Sequence, residues 1–218
     1  MSEYVKFTYQ CVHREVAAFD RLAELNECRR KLCQVHFVGM DDSNGIGFGN
    51  LSVRDGATGN FYITGSATGA LAELTAADCV RVVAYDFEQN WVGYEGSAVP
   101  SSESMTHAAI YKSEPTACAV IHCHDSVLWR MLLDRGPTSS KAVPHGTPEM
   151  AYEIIRLFAV SDVRSRQIFV MAGHEDGIVV FGRNLEEAFG VLMRTRDLPP
   201  PPCDAGRQYA RAPRQPAE

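Results

Sequence analysis

The stretch Ala119-Val120-Ile121-His122-Cys123-His124-Asp125 joins an apolar run to two histidines. Successive side chains of a β-strand point to opposite faces, so His122 and His124 project from one face, about 7 Å apart. Two imidazoles on one face at the end of a buried strand can bind one metal ion with little rearrangement. Because the pattern is short, these residues alone leave a second interpretation equally open, in which each ring is hydrogen-bonded in the core.

A third histidine follows the next apolar strand. Catalytic zinc sites usually have three protein ligands and one open position, and His174 directly follows the strand-like run 169–173. A histidine at the end of a strand is a common ligand position, so His174 is a candidate for the third ligand, although its position alone is weak support. His145 lies in a predicted loop, where its role stays open. His107 is either a supporting partner of the site or part of the buried side of a helix.

The triplet Ser101-Ser102-Glu103 precedes a helical pattern and predicts a serine cap with a carboxylate in the first turn. A carboxylate near a dication could ligate the metal, or act as a general base once substrate displaces it. From the triplet alone, a simple cap is the plainer interpretation. A helix start also attracts anions, and Asn50 and the turn 64–69 could complete a cradle for a phosphate or carboxylate.

Predicted strands and helices alternate along the chain, which indicates the α/β class. We predict strands at 51–54 and 61–64 (a hairpin), 80–86, 91–94, 117–124, 167–171 and 177–181. Predicted helices cover 16–34, 101–111, 126–133, 147–160 and 184–196, and glycines at 45, 47 and 49 predict a loop over 41–50. We assign 1–198 to one domain, with a core at about 20–195, and 199–218 to a proline-rich, disordered tail.

Composition excludes several classes of protein. With Lys plus Arg at 21 against Asp plus Glu at 27, the net charge of −6 disfavours nucleic-acid binding. We expect neither a membrane span, since no apolar run approaches the length required, nor a signal peptide, since the first residues of the sequence are polar and acidic. The seven cysteines form no CxxC motif and predict reduced thiols. We therefore expect a cytoplasmic protein that binds neither nucleic acid nor membrane.

Taken in order, these features resemble the class II aldolase/adducin family, which includes fuculose-phosphate aldolases and ribulose-phosphate epimerases. The resemblance implies a three-layer α/β/α fold with a central, mainly antiparallel sheet, commonly assembled as a homotetramer. The matching segments are Gly49-Asn50-Leu51-Ser52-Val53-Arg54, Ile63-Thr64, Leu74-Thr75-Ala76-Ala77-Asp78, Pro100-Ser101-Ser102-Glu103-Ser104-Met105-Thr106-His107, Ala119-Val120-Ile121-His122-Cys123-His124, Gly146-Thr147-Pro148-Glu149-Met150-Ala151, and Gly173-His174 leading to Asn184-Leu185-Glu186-Glu187-Ala188.

The resemblance also implies a chemistry. It makes Glu103 the catalytic acid/base of a lyase of carbohydrate metabolism, which cleaves a C–C bond of a small hydroxy-carbonyl compound, such as a sugar phosphate. The reaction would pass through a metal-stabilised enediolate. The implied ligands of one Zn²⁺ per subunit, or of another divalent metal, are His122, His124 and His174. The implied substrate phosphate contacts are Asn50, Ser101 and Ser102, to which we add Thr64 and Gly65.

The sequence departs from the sugar-phosphate aldolases between His124 and Gly146. This segment is short and contains no tyrosine, so the proton donor of that mechanism has no counterpart. His145 or Glu175 could serve instead, whereas Tyr209 of the tail has no surrounding motif. Three alternatives therefore stay open: a metal-dependent epimerase, a decarboxylase of the same family, and a non-catalytic adducin-like module.

Overall fold

The computed structural model of the chain describes residues 5–16, 19–41, 45–133 and 135–198. Within these ranges the strands are β1 (Thr8–His13), β2 (Gly39–Asp41), β3 (Ile46–Phe48), β4 (Asn50–Arg54), β5 (Phe61–Thr64), β6 (Cys79–Asp86), β7 (Trp91–Glu95), β8 (Ala119–His124), β9 (Ile168–Val170) and β10 (Gly177–Gly182). The helices are α1 (Leu22–Gln34), α2 (Ser104–Ser113), α3 (Ser126–Leu133), α4 (Pro148–Val160), α5 (Val163–Arg166) and α6 (Leu185–Arg196). The alternation confirms the α/β class.

Eight of the strands form one mixed sheet in the order β1-β7-β6-β5-β4-β8-β10-β9. β1 runs parallel to β7, while the other neighbours pair antiparallel. The central strand β8 lies between β4 and β10, so that Asn50 is the partner of His122 and Gly177 is the partner of His124. The sheet therefore brings the histidine strand beside the start of β4 and the start of β10.

The alternation of side chains along β8 divides the core between the two faces of the sheet. Ala119, Ile121 and Cys123 join an apolar cluster with residues of α1, α3 and α6. Val120 joins a second cluster, to which α2 and α4 contribute. Burying these faces supplies the main stabilisation, at about 25 cal/mol per Å² of apolar surface. Since His122 follows Val120 by two residues, it lies on the face that α2 and α4 cover.

Local signals predicted several elements correctly. The hairpin is present as β4 and β5, which pair antiparallel. Thr147 caps α4 by accepting a hydrogen bond from the backbone N–H of Met150 at 3.4 Å. Asn184 caps α6 in the same way, with the N–H of Glu187 at 2.8 Å. These caps satisfy backbone donors that a helix leaves free at its start, which is why the sequence marks them clearly.

Two predictions near the start of the chain were wrong. The helix predicted over 16–34 begins only at Leu22, because Phe19 stacks on Tyr62 with ring centroids 4.1 Å apart and the chain turns there. The loop predicted over 41–50 contains a strand, since β2 and β3 pair antiparallel as a small separate sheet. Gly45, Gly47 and Gly49 predict a loop because glycine is uncommon inside strands, so the sequence carries no indication of this pairing.

Several expectations concern composition rather than architecture. The six cysteines that the structure describes are free, whereas Cys203 lies outside the described residues. The predicted tail 199–218, with Tyr209, also lies outside them. Among the helices in the described ranges, none is long and apolar enough to cross a bilayer.

Candidate active site

Three histidines meet at one end of the sheet. His122 and His124 end β8, and His174 lies in the turn between β9 and β10. One ring nitrogen from each lies within 4.8 Å of the others. The closest pair, Nε2 of His124 and Nε2 of His174, is 3.1 Å apart. The structure thus brings together the three residues predicted as metal ligands.

Burial keeps these rings neutral. It lowers the pKa of His124 to about 4 and of His174 to about 2, and it lowers the pKa of His122 well below its ordinary value. At neutral pH each imidazole therefore carries a lone pair, as a metal ligand must. Nε2 of His122 is also buried without a hydrogen-bond partner among the described residues.

This arrangement fits a divalent cation. Three neutral imidazoles are a common ligand set for zinc, with Zn–N distances of about 2.0–2.1 Å. Two nitrogens on one tetrahedral zinc would lie about 3.3 Å apart, close to the 3.1 Å separation of His124 and His174. An ion would also satisfy the unpartnered Nε2 of His122. The residues present therefore suit the metal that the sequence predicted.

Asn50 contacts the ring of His122 rather than standing apart from the metal ligands. Its Nδ2 lies 3.2 Å from Nδ1 of His122, while its buried Oδ1 finds no hydrogen-bond partner in the part of the chain that the structure describes. A 180° rotation of the amide would let Oδ1 accept a proton from Nδ1, leaving the Nε2 lone pair for a metal. Gly49 makes this placement possible, because its φ is +76° and a Cβ there would come 3.1 Å from the His122 carbonyl oxygen.

Glu103 is a buried carboxyl beside the histidines. Its side chain accepts a hydrogen bond from Thr106 Oγ1 at 2.5 Å, and Oε1 has no partner among the described residues. Burial raises the pKa of Glu103 to about 7, although the Thr106 hydrogen bond and the charge of Lys6 oppose that shift. Ligand atoms of Glu103, His145 and His174 also lie within 4.8 Å of one another. A carboxyl with a pKa near neutrality can both accept and return a proton.

The helix that carries Glu103 begins later than predicted. α2 starts at Ser104, and Glu103 is the residue before it. Ser101 Oγ accepts a hydrogen bond from the Glu103 N–H at 3.3 Å, and Ser104 Oγ donates to the Ser101 carbonyl at 2.7 Å. These bonds close a turn ahead of the helix, and the cap residue of α2 is Glu103, so the predicted serine cap was wrong. The turn directs the Glu103 side chain into the protein.

The residues predicted to bind phosphate come from two neighbouring turns, the one before α2 and the one after Thr64. Ser66 Oγ donates to the Pro100 carbonyl at 2.8 Å, which holds the turn after Thr64 beside Ser101. Thr64 is buried, and its Oγ1 accepts the Leu51 N–H at 3.3 Å. The Gly65 N–H is already donated to a backbone carbonyl, whereas Ser102 is only half-buried. Their role in binding phosphate remains a prediction.

The two accessory candidates differ in position. The ring of His145 lies against that of His174, with centroids 3.9 Å apart, and burial lowers its pKa to about 4. Gly146 follows with a φ of +69°, and a Cβ there would meet the Ser102 carbonyl at 2.9 Å, so the loop closes tightly over the site. Glu175 is exposed and belongs to neither converging group found in the described ranges.

Sequence reasoning missed several residues near the site. Lys6 donates to the His145 carbonyl at 2.9 Å, across 139 positions of sequence that no local pattern connects. Thr106 could have been found, because a residue three positions after Glu103 faces it on a helix. His107 proves to be on the buried side of α2, where Ser52 Oγ lies 2.7 Å from its Nδ1 and 2.7 Å from the Tyr111 hydroxyl.

We predict that the metal-free protein loses stability in mild acid. Burial lowers the pKa of the four described site histidines and of His107, whose pKa falls to about 3. Their neutral rings contribute stability that is fully present above the unfolded pKa of about 6.5 and is lost as pH falls below it, because the unfolded chain then binds protons that the folded chain does not. One such proton corresponds to about 1.4 kcal/mol per pH unit. Glu103 has the opposite effect on stability. Because its pKa is raised in the folded protein, it takes up a proton on folding, so its contribution to stability increases as pH falls. Urea unfolding at pH 7.5, 6 and 5 measures the trend, and equal stabilities would contradict it.

Comparison with known proteins gives one consistent result. The model of the family described as "Class II Aldolase and Adducin N-terminal domain" matches residues 35–197. A curated relative, 3-oxo-tetronate 4-phosphate decarboxylase of Haemophilus influenzae, is 27% identical over 158 residues, which are 65% of this chain and 70% of the relative.

Solved structures agree with the family match. An L-fuculose 1-phosphate aldolase superposes with a TM-score of 0.62 and 25% identity, covering 83% of each chain. The L-fuculose-1-phosphate aldolase of Thermus thermophilus has the same fold, with a TM-score of 0.57, 19% identity, and coverage of 81% of this chain and 89% of its own. With its family model matched over most of its length, this chain belongs to the class II aldolase and adducin N-terminal domain family.

Proposed function

We propose that this protein is a metal-dependent lyase of the aldolase type, which cleaves the C–C bond between the α and β carbons of a small hydroxy-carbonyl compound and leaves an enediolate. The observation that carries the proposal is the convergence of three neutral imidazoles beside a buried carboxyl with a pKa near neutrality. The family includes aldolases and decarboxylases, and the structural match to an L-fuculose 1-phosphate aldolase supports a sugar-phosphate substrate.

The side chains of the site have separate roles in this reaction, metal binding and proton transfer. His122, His124 and His174 would hold zinc, or another divalent cation that accepts imidazoles. When bound, the cation supplies a Lewis acid that stabilises negative charge developing on substrate oxygens. Glu103 takes a proton from the substrate and returns it, because its pKa of about 7 makes both directions accessible near neutral pH.

The remaining site residues bind and orient. Asn50 fixes the ring of His122 through Oδ1, which leaves its Nδ2 to bind a substrate phosphate together with Ser101, Ser102 and Thr64 at the start of α2. Gly65 would contribute only a close approach of its backbone, because its N–H is donated to the Asp78 carbonyl. His145, packed on His174, is the better placed accessory proton carrier, since Glu175 is exposed.

Decarboxylation is the second candidate, and one observation favours it. The segment 125–145 contains no tyrosine that could handle the proton of an aldehyde leaving group. Loss of CO₂ needs no such group, because the carboxylate carbon departs without a proton and Glu103 then protonates the remaining carbon. The Haemophilus influenzae relative is a decarboxylase, which supports the same alternative. Epimerisation at this site would differ from aldol cleavage only in its last step, in which the enediolate and the aldehyde rejoin with inverted configuration.

A product screen tests the proposal. Zinc-loaded protein is incubated with ketose phosphates and phosphorylated hydroxy-keto acids, beside their unphosphorylated counterparts, and products are identified by NMR. We expect cleavage of a phosphorylated compound, whereas CO₂ release or an inverted stereocentre would identify a decarboxylase or an epimerase. Activity confined to unphosphorylated compounds would contradict the phosphate role of Asn50, Ser101 and Ser102. Protein that neither retains zinc nor turns over substrate would support the adducin-like module.

We further propose a cytoplasmic homotetramer. Exposed apolar side chains on and beside the small β2–β3 sheet, Met40, Ile46 and Leu71, support self-association, because exposed apolar residues that lie together commonly mark interfaces. Size-exclusion chromatography with light scattering measures the mass in solution, and a monomer would contradict this assembly.

A further inference from the structure

The segment ahead of β1 is fixed against the body of the protein. Phe7 is buried in the core cluster to which α2 and α4 contribute. The Lys6 carbonyl accepts a hydrogen bond from Asn90 Nδ2 at 2.9 Å, and the Thr8 N–H donates to the Asn90 carbonyl at 2.9 Å. The backbone on both sides of Phe7 is therefore held by one asparagine, which determines where the Lys6 side chain can reach.

That side chain reaches the candidate active site. Lys6 Nζ donates to the His145 carbonyl at 2.9 Å, and the ring of His145 lies against His174. An ammonium has three N–H groups, so two are left after this bond. Within the described ranges, no carboxylate forms an ion pair with Lys6, and the residue is exposed. Lys6 thus places a cation with unused N–H groups next to His145, whose ring packs on the predicted metal ligand His174.

We propose that Lys6 binds a carboxylate of the substrate on the His145 side of the site. This inference rests on the proposed function and narrows its substrate class to hydroxy-keto acids that carry both a carboxylate and a phosphate. The two remaining N–H groups of one ammonium match the two oxygens of a monoanion.

A carboxylate fits this position better than a second phosphate. The predicted phosphate contacts lie around the turn before α2, where several hydroxyl and backbone groups are grouped. Lys6 offers a single charge and comes from a different part of the chain, on the side of the loop that precedes α4 and carries His145 (the α4 loop). A substrate extended between the two places would present its phosphate to the serines and its carboxylate to Lys6.

The experiment measures binding rather than turnover. Zinc-loaded full-length protein is titrated in a calorimeter with 3-phosphoglycerate and with glycerol 3-phosphate. Both probes carry a phosphate and a 2-hydroxyl, and they differ in having a carboxylate or a hydroxymethyl group. Lys6→Gln removes the charge while retaining an N–H donor for the His145 carbonyl, and Lys6→Arg retains the charge. Lys31→Gln is the matched control, because Lys31 is an exposed lysine on α1, a helix that packs on the opposite face of the sheet.

We expect wild type to bind 3-phosphoglycerate more tightly than glycerol 3-phosphate. Lys6→Gln should weaken 3-phosphoglycerate binding about tenfold, as expected for a hydrogen bond between charged groups, while glycerol 3-phosphate binding stays unchanged. Lys6→Arg should restore most of the preference, and Lys31→Gln should not alter it. Higher salt should reduce the preference in wild type, since the contact is exposed.

Other outcomes overturn the inference. Equal loss for both probes in Lys6→Gln would mean that Lys6 binds phosphate or only holds the α4 loop. An unchanged preference in Lys6→Gln, or no preference in wild type, would mean that Lys6 contacts no carboxylate. Failure of the proposed function can be distinguished from failure of this inference. Protein that shows the predicted preference but cleaves nothing in the product screen would support the carboxylate contact of Lys6 and contradict the lyase activity.

Discussion

Replacing His174 with alanine should remove zinc from the purified protein and abolish its turnover. His174 Nε2 lies 3.1 Å from His124 Nε2, so its loss opens one side of the predicted ligand set. Loss of a group that merely supports a ligand typically lowers metal affinity about 10–100-fold, and loss of a ligand itself should exceed that. Metal analysis after dialysis, together with competition against a chromophoric chelator, measures the change.

His13→Ala provides the control, because His13 is exposed on β1 and lies outside the converging histidines. It should retain one zinc per chain. His124→Ala should behave like the His174 variant, and circular dichroism should show that both variants remain folded. If His174→Ala bound one zinc per chain with wild-type affinity, the three-histidine site would be refuted.

Elements with a chemical marker in their own sequence were predictable. Thr147 and Asn184 fix helix starts through hydrogen bonds within three residues, and the alternating β4–β5 hairpin needs only neighbouring sequence. β1 carries no such marker, since this edge strand is mostly exposed and joins the sheet by pairing in parallel with β7. Its position depends on contacts about 80 residues away, which no local pattern encodes.

The candidate site shows the same division. The period of a strand was enough to place His122 and His124 on one face, but it could not show which distant residue would meet them. Family resemblance nominated His174, and the turn between β9 and β10 brings it within reach. The contact of Lys6 with the α4 loop had no signal in sequence, because it depends on how an edge strand docks. Residues contributed by the body of the sheet were thus predictable, and residues contributed by docked segments were not.

Glu103→Gln should retain zinc and lose most of its turnover. Glutamine has the shape of glutamate and can still accept the Thr106 hydrogen bond, so the surroundings of the three histidines should be preserved. It cannot exchange a proton near neutral pH, and loss of a general acid/base typically lowers kcat about 10²–10⁴-fold. Metal content and steady-state kinetics on the substrate found in the product screen measure the two effects separately.

Measuring zinc content and turnover separately distinguishes the possible roles of Glu103. Glu186→Gln, an exposed glutamate on α6, should change neither quantity and controls for the substitution itself. If Glu103→Gln lost zinc together with turnover, the carboxylate would be a metal ligand, as its group with His145 and His174 allows. If it kept full turnover, the proton would have to be carried by another residue, and His145, which packs on His174, would be the first to test. Only retained zinc with lost turnover identifies Glu103 as the acid/base, because that result removes the proton without disturbing the histidines.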